Sequence, residues 1–381
     1  MDQGSAPSGH IGLRLAGWLV RGMPYIGSLT GVGGLLIVLS YVIGGPEIST
    51  RAAGLLNDGS WAHADTWAAL LLKAGVSAMA LLPPVVAGYL AYGMAGRQAM
   101  VAGAIGGVVG MSFNGGFLAG LFAGLVAGAL AVAMERISLP LKLRGITSML
   151  VIPLLAGVAT VAVVFTLLAP QVNDLLAWLD NQLPPLTWGS AALCGMVLGL
   201  MVCFDLSGAI SKTAITFAVT GVTVAPNSLN FTIMAAVVAA AMVPPLSLSL
   251  ATVVRRSLFT EDERTYGKVA WLFGAAFVPE GAIPFAVADP LRVLPAGMAG
   301  GAVTGALTMT FGSTMKATDG GLFSAGHLGK PLLFVAAVAA GVLVTTTILI
   351  VLKSMRGPIA PAEESKAATA TPTRKKQLVA G

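Results

Sequence analysis

Five charged residues, Asp205, Lys212, Glu280, Asp289 and Arg292, fall in or beside strongly apolar stretches of the 381-residue chain. Three of them share residues 277–292, together with Pro279, Pro284 and Pro290. A charge at the centre of a bilayer costs roughly 2.5–3.5 kcal/mol even on a lenient insertion scale. Three prolines so close together preclude one continuous helix and leave backbone N–H and C=O groups without partners. Such backbone survives at membrane depth only when it is buried in protein or lines a wet cavity. The stretch is therefore expected to re-enter or break, with Glu280 near its turn. An ionised carboxylate there can accept hydrogen bonds from the hydroxyls of a polar solute and can take a proton.

The other charges have structural readings beside functional ones. Asp289-Pro290 reads as an N-cap and first helical residue. Arg292 then falls in a first turn, where the helix dipole disfavours a cation. It needs an anionic partner, and either Asp289 or Glu280 could serve. Asp205 and Lys212 are seven apart and share a helix face; a direct pair needs a bend, for which Ser207-Gly208 is suited. Glu280 has the weakest structural reading, because no basic residue is close in sequence and its neighbours are apolar. Asn114 reads as capping a turn, and Lys73 as snorkelling or filling a polar gap.

Composition says what must hold these residues. Hydrophobic types make up 56% of the chain and charged types 10%, against roughly 25% charged in soluble domains. That is an all-α integral membrane protein, with apolar stretches long enough for helices rather than barrel strands. The 48 glycines suit close helix packing in lipid. The net charge of +6 comes from basic residues dispersed at segment ends, so nucleic acid is not an expected partner. Cys194 and Cys203 share one apolar segment and lie about 13 Å apart along a helix, too far for a disulfide. They are read as inert buried thiols. His10, His63 and His327 give no metal-ligand spacing, and no cofactor is expected.

Residues 1–9 are polar. Residues 11–20 read as an interfacial amphipathic helix; a signal peptide is disfavoured because the following apolar run is too long. Spans are expected at about 24–45, 66–93, 99–112, 116–134, 146–169, 189–204, 231–254, 293–312 and 332–352. Residues 207–220 complete a broken crossing. Residues 47–65 and 171–187 read as loops and 135–144 as a basic connector. Gly116, Gly120, Gly124 and Gly128 recur every fourth residue, on one packing face. The pairs Pro83-Pro84 and Pro244-Pro245 echo each other faintly, as interrupted helices in two halves would. With both termini cytoplasmic, sixteen of the 22 Lys and Arg residues fall inside, three outside and three within spans. That asymmetry favours about ten crossings, with one or two re-entrant hairpins.

The residues 280–286 (EGAIPFA) followed by 288–292 (ADPLR) resemble the signature of the fructose-type IIC membrane subunit of the bacterial sugar phosphotransferase system. Phe204-Asp205-Leu206-Ser207-Gly208 with Ser211-Lys212 is similar to that family's Phe-Asp-Met-Gly-Gly-Pro-Val-Asn-Lys segment. The 242–246 segment, Phe259-Thr260, Gly33-Gly34 and Ser40-Tyr41 are similar too. The likeness runs over about 12–355. Two departures stand out: the Pro and Asn of the second motif are missing here, and the family's Thr-Glu is Pro279-Glu280.

The resemblance implies a sugar-translocating subunit in the bacterial cell membrane. Such a subunit presents its sugar to a soluble IIB subunit carrying phosphocysteine, itself recharged by a phosphohistidine IIA. It implies a homodimer, and IIA and IIB as separate polypeptides or absent, since no phosphoryl-carrying residue is recognised in this chain. Glu280 corresponds to the family's sugar-binding carboxylate, with Gly281 beside it; Asp205, Lys212, Asp289 and Arg292 take supporting positions. The expected division is a cytoplasmic segment 1–23, a scaffold and dimer half 24–187, a sugar-site half 188–356 and a tail 357–381. The alternative function is a secondary transporter of a small polar solute, with Glu280 as its ion or proton site.

Overall fold

A computed structural model describes residues 11–135, 150–187 and 189–355. The expected basic connector and the two terminal segments 1–9 and 357–381 lie largely or wholly outside them. Among the described residues the regular structure is helical apart from a bridge of two short strands, Thr314–Met315 and Leu328–Gly329. Among the described residues seven helical segments are long and apolar enough to cross a membrane, and the helices Ala191–Phe204 and Ala209–Val224 are apolar but shorter. By these criteria the expected count of about ten is not confirmed.

Several expectations change at their edges. The presumed interfacial helix and the first span are one helix, Ile11–Gly44. Residues expected as a polar loop contain the helix Ile48–Asp58, whose Ile48, Ala52, Leu55 and Leu56 pack against the core. Their spacing of four, three and one is a helix stripe, which the flanking polar residues had masked. Residues 171–187 are also mostly helical, in Ala169–Leu186, which continues the helix Ile152–Val163 through one π-turn.

The proline pairs behave differently. The chain breaks at Leu81, between the helices Ala64–Ala80 and Leu82–Ala95, and Pro83 and Pro84 sit in the restarting first turn, where no N–H is missed. Pro244 and Pro245 stay inside one helix, Ser228–Val254. The glycine stripe of the helix Gly116–Glu135 lies on the helix Leu82–Ala95: Gly120 meets Pro83, Gly124 meets Ala87 and Gly128 meets Met94. A second close approach joins the helices Ala191–Phe204 and Pro290–Phe311, where Gly195 and Gly199 touch the backbone of Gly305 and Gly301.

The helix Ser228–Val254 runs through the interior of the later half, with an almost unbroken buried sequence from Thr232 to Pro245. The first helix packs on both the helix Ala64–Ala80 and the helices flanking Glu280, so it joins the two halves. At one end of the bundle the last helix, Pro331–Ser354, is held by Lys353, which pairs with Glu263 at 2.9 Å. Glu263 also closes a capping box with Thr260 at the start of the helix Glu261–Ala275. At the opposite end, Lys330 donates to the carbonyl of Phe311 at 2.8 Å, a cation at a helix C-terminus.

Candidate functional site

Four interruptions in the helices converge on one cavity of about 490 Å³. They are the break at Leu81, the turn at Phe113–Gly116, the turn at Asp205–Gly208 and the irregular residues 276–282. Among the described residues five non-glycines have positive φ: Asn114, Leu206, Ser207, Phe277 and Lys330. The first four line this cavity. Left-handed backbone in ordinary residues persists where surrounding structure over-determines it, and it clusters at binding sites. Gly116, also left-handed, lies directly on Gly208, so the two turns touch where no side chain intervenes.

Asp205 organises the second turn. It is 2% exposed and accepts the backbone N–H groups of Gly208 (3.2 Å), Ile210 (2.8 Å) and Ser211 (3.0 Å). These donors open the helix Ala209–Val224 and have no partner inside it. The carboxylate thus satisfies them and complements the helix dipole. The bend expected at Ser207-Gly208 is present. It does not bring Lys212 to Asp205: Lys212 donates to Asn114 Oδ1 at 3.3 Å, across 98 residues of sequence.

Glu280 sits in the short 3₁₀ turn Pro279–Ala282, between the helices Glu261–Ala275 and Ile283–Ala288. The turn's backbone is satisfied locally, by Val278 N–H on Phe273 O (2.8 Å) and Gly281 N–H on Val278 O (3.1 Å). Gly281 packs on Phe273, where a Cβ would come within 2.7 Å. The Glu280 side chain lines the cavity. Ser207 is within hydrogen-bonding reach of its carboxylate, and Lys212 is near enough to attract it. Among the described residues Glu280 forms no ion pair.

Asp289 and Arg292 belong to a different environment. The helix Pro290–Phe311 does start where Asp289-Pro290 indicated, but Asp289 makes no side-chain cap bond. Instead both its oxygens accept from Arg292 at 2.9 Å, and Arg292 Nε donates to Leu352 O at 2.9 Å. Of the six residues singled out, the structure brings Glu280 and Lys212 to the cavity. Asp205 holds its rim from behind, Gly281 packs behind Glu280, and the Asp289–Arg292 pair lies outside its lining. Cys194 and Cys203 are free and buried.

The cavity has polar groups that the sequence does not mark as site residues: Ser207, Tyr41 and Asp319. Tyr41 lies on the first helix, and Asp319 in the loop between the two last helices. The sequence marks Asn114 only as a turn residue. Its left-handed φ of 56° agrees with that, and its side chain serves the cavity as well. Positive-φ propensity of Asn beside Gly115 was the one local signal available.

A family described as "Phosphotransferase system, EIIC" matches residues 22–351. The "PTS system fructose-specific EIIB'BC component" of Xanthomonas campestris pv. campestris is 42% identical over 343 residues, covering 88% of this chain and 56% of that protein. The "Fructose permease IIC component" of Bacillus amyloliquefaciens is 38% identical, over 76% of this chain and 94% of that one. The "Fructose-like permease IIC component 2" of Escherichia coli is 34% identical, over 88% and 90%. The chain spans about half the length of the EIIB'BC relatives it matches.

Proposed function

The chain belongs to the phosphotransferase system EIIC family, and from that premise we propose that it is a sugar-translocating subunit. It imports fructose or a related sugar and presents it to a IIB phosphocarrier. The observation that carries this reading is Glu280: a carboxylate on an irregular turn, free of an arginine, at the wall of a cavity of about 490 Å³. A cavity of that size accommodates a monosaccharide, since small-ligand sites run to roughly 300–1,000 Å³.

In this reading Glu280 accepts hydrogen bonds from two sugar hydroxyls, which its charge strengthens. When IIB docks, the sugar oxygen forms a bond to phosphorus as the sulfur–phosphorus bond of the phosphocysteine breaks. The cysteine leaves as thiolate, and Glu280 takes the hydroxyl proton. Phosphoryl transfer needs mainly positioning and charge management. Lys212, held by Asn114, supplies positive charge beside the carboxylate. Asp205 fixes the turn that carries Ser207, and Asp289 with Arg292 fixes the helix that follows Glu280.

The halves 24–187 and 188–356 divide the work, the first as scaffold and dimer interface and the second as bearer of Glu280. Tyr41, Pro83 and Asn114 give the first half one wall of the cavity as well. The protein works as a homodimer with both termini cytoplasmic; the basic residues Arg255, Arg256, Lys268 and Lys353 then mark the inner end. The test is uptake by membrane vesicles loaded with phosphorylated or unphosphorylated IIB, screened across hexoses and polyols. Accumulation as sugar phosphate only with phosphorylated IIB is expected. Accumulation of free sugar driven by a proton gradient would instead make the protein a secondary transporter.

A further inference from the structure

We infer that Asp319 is a second sugar-binding carboxylate, placed at the outer end of the cavity, and that it selects the substrate through one hydroxyl. The inference rests on the transport reading above.

Asp319 belongs to residues 312–330, which join the helices Pro290–Phe311 and Pro331–Ser354. The start of the first of these helices meets the end of the second through Arg292 and Leu352. Lys330 and Phe311 meet at the other end. The basic residues Arg255, Arg256, Lys268 and Lys353 gather at the Arg292 end, which the positive-inside rule makes cytoplasmic. The Asp319 loop is therefore on the outer side, where sugar arrives.

The loop is built to hold its carboxylate in place. The Ser324 hydroxyl donates to Asp319 O at 2.6 Å, and the Phe323 amide to Gly320 O at 2.9 Å. Phe323 stacks on Tyr41 with ring centroids 6.3 Å apart. Gly320 and Gly321 take positive φ, and Gly321 lies against the backbone of Ala275–Phe277, which leads into the Glu280 turn. Asp319 is thus fastened both to the first helix and to the segment bearing Glu280. Thr318 donates to Asp319 Oδ2 at 3.2 Å, and Asp319 lines the same cavity as Glu280. Tyr41 lies within range of its charge, with Ser49 in hydrogen-bonding reach of the Tyr41 hydroxyl.

Two carboxylates on one cavity suit an uncharged, hydroxyl-rich solute, because each oxygen can accept a hydroxyl proton. A site that hydrogen-bonds a given hydroxyl rejects the analogue that lacks it, since its buried polar group is then left unpaired. Asp319 should therefore impose preference at one carbon of the sugar, distinct from whichever hydroxyls Glu280 holds.

The experiment measures phosphorylation-dependent vesicle uptake of D-fructose and its monodeoxy analogues by wild type, Asp319→Ala, Asp319→Asn and Ser324→Ala. For Asp319→Ala, KM for fructose should rise roughly tenfold with kcat changed by no more than about twofold. The penalty against one deoxy analogue should vanish in Asp319→Ala, shrink in Asp319→Asn, whose amide oxygen still accepts but without charge, and persist against the others. Ser324→Ala, which loosens the loop but keeps the carboxylate, should raise KM less than Asp319→Ala does and retain part of the penalty against that same analogue. An Asp319→Ala protein that reaches the membrane and keeps the full profile would overturn the inference alone. A wild type without phosphorylation-dependent uptake would overturn the transport reading beneath it.

Discussion

Glu280 and Asp289 stand nine residues apart on one irregular stretch, and the fold treats them in opposite ways. The Asp289 side chain is 8% exposed and both oxygens are taken by Arg292. Glu280 has no ion pair among the described residues and borders the cavity. Glu263 belongs with Asp289: it is sealed by Lys353, 90 residues away, and by the backbone of Thr260. A buried charge is costly unless it is paired and hydrogen-bonded. The sealed carboxylates therefore read as fasteners between helices, and the unsealed one as the group awaiting a ligand.

The largest effect on function is expected at the unsealed carboxylate. Glu280→Gln keeps the shape and removes the charge, so sugar binding and uptake should be abolished while insertion and thermal stability stay near wild type. Wild-type uptake by that variant would break the contrast at its functional end. The sealed pairs should show the reverse pattern. Lys353→Met leaves Glu263 charged at 2% side-chain exposure, and breaking a buried pair from one side costs about 3–5 kcal/mol. The double variant Glu263→Gln, Lys353→Met should regain most of that loss, because Gln still accepts the Thr260 amide. Thermal unfolding in detergent measures both, and transport per folded molecule should not change. A single variant as stable as the double would show that this pair fastens nothing.

Much of this division was legible in the sequence, for identifiable reasons. Three prolines among two carboxylates and a guanidinium cannot lie in a lipid-facing helix, so the Glu280 turn announced itself. Asp289-Pro290 gave the helix start correctly because proline's preference for the first helical position is local, although Asp289 turns its carboxylate to Arg292 rather than to the cap. Arg292 had two candidate partners, and three-residue spacing on one helix decided for Asp289. The contacts that complete the cavity were not legible. Lys212 finds Asn114 only because two turns meet at Gly116 and Gly208. Asp319 lies in a connector without apolar periodicity, and only its packing against Tyr41 and Ala275–Phe277 brings it inward. Lys353 looked like a cytoplasmic marker at the end of a span, with no sign that Glu263 would bury it. Local chemistry reads well along a chain, whereas pairings across many residues depend on how the bundle closes.

The smallest expected effect probes that boundary most finely, through Arg292→Lys. The charge is kept, so a purely electrostatic partner of Asp289 would be replaced without loss. The geometry is not kept. Arg292 uses Nη1 for both Asp289 oxygens and Nε for Leu352 O, tying the start of one helix to the end of another. One ammonium on a flexible stem cannot reproduce that fork. Losing about one hydrogen bond should lower stability by roughly 1–2 kcal/mol, less than at Lys353, because Arg292 is 30% exposed and water can compensate. Sugar KM should stay at the wild-type value, since the pair stands outside the cavity lining. A raised KM with unchanged melting temperature would move Asp289 and Arg292 to the substrate's side of the contrast, and burial with pairing would then cease to separate fasteners from binding groups in this fold.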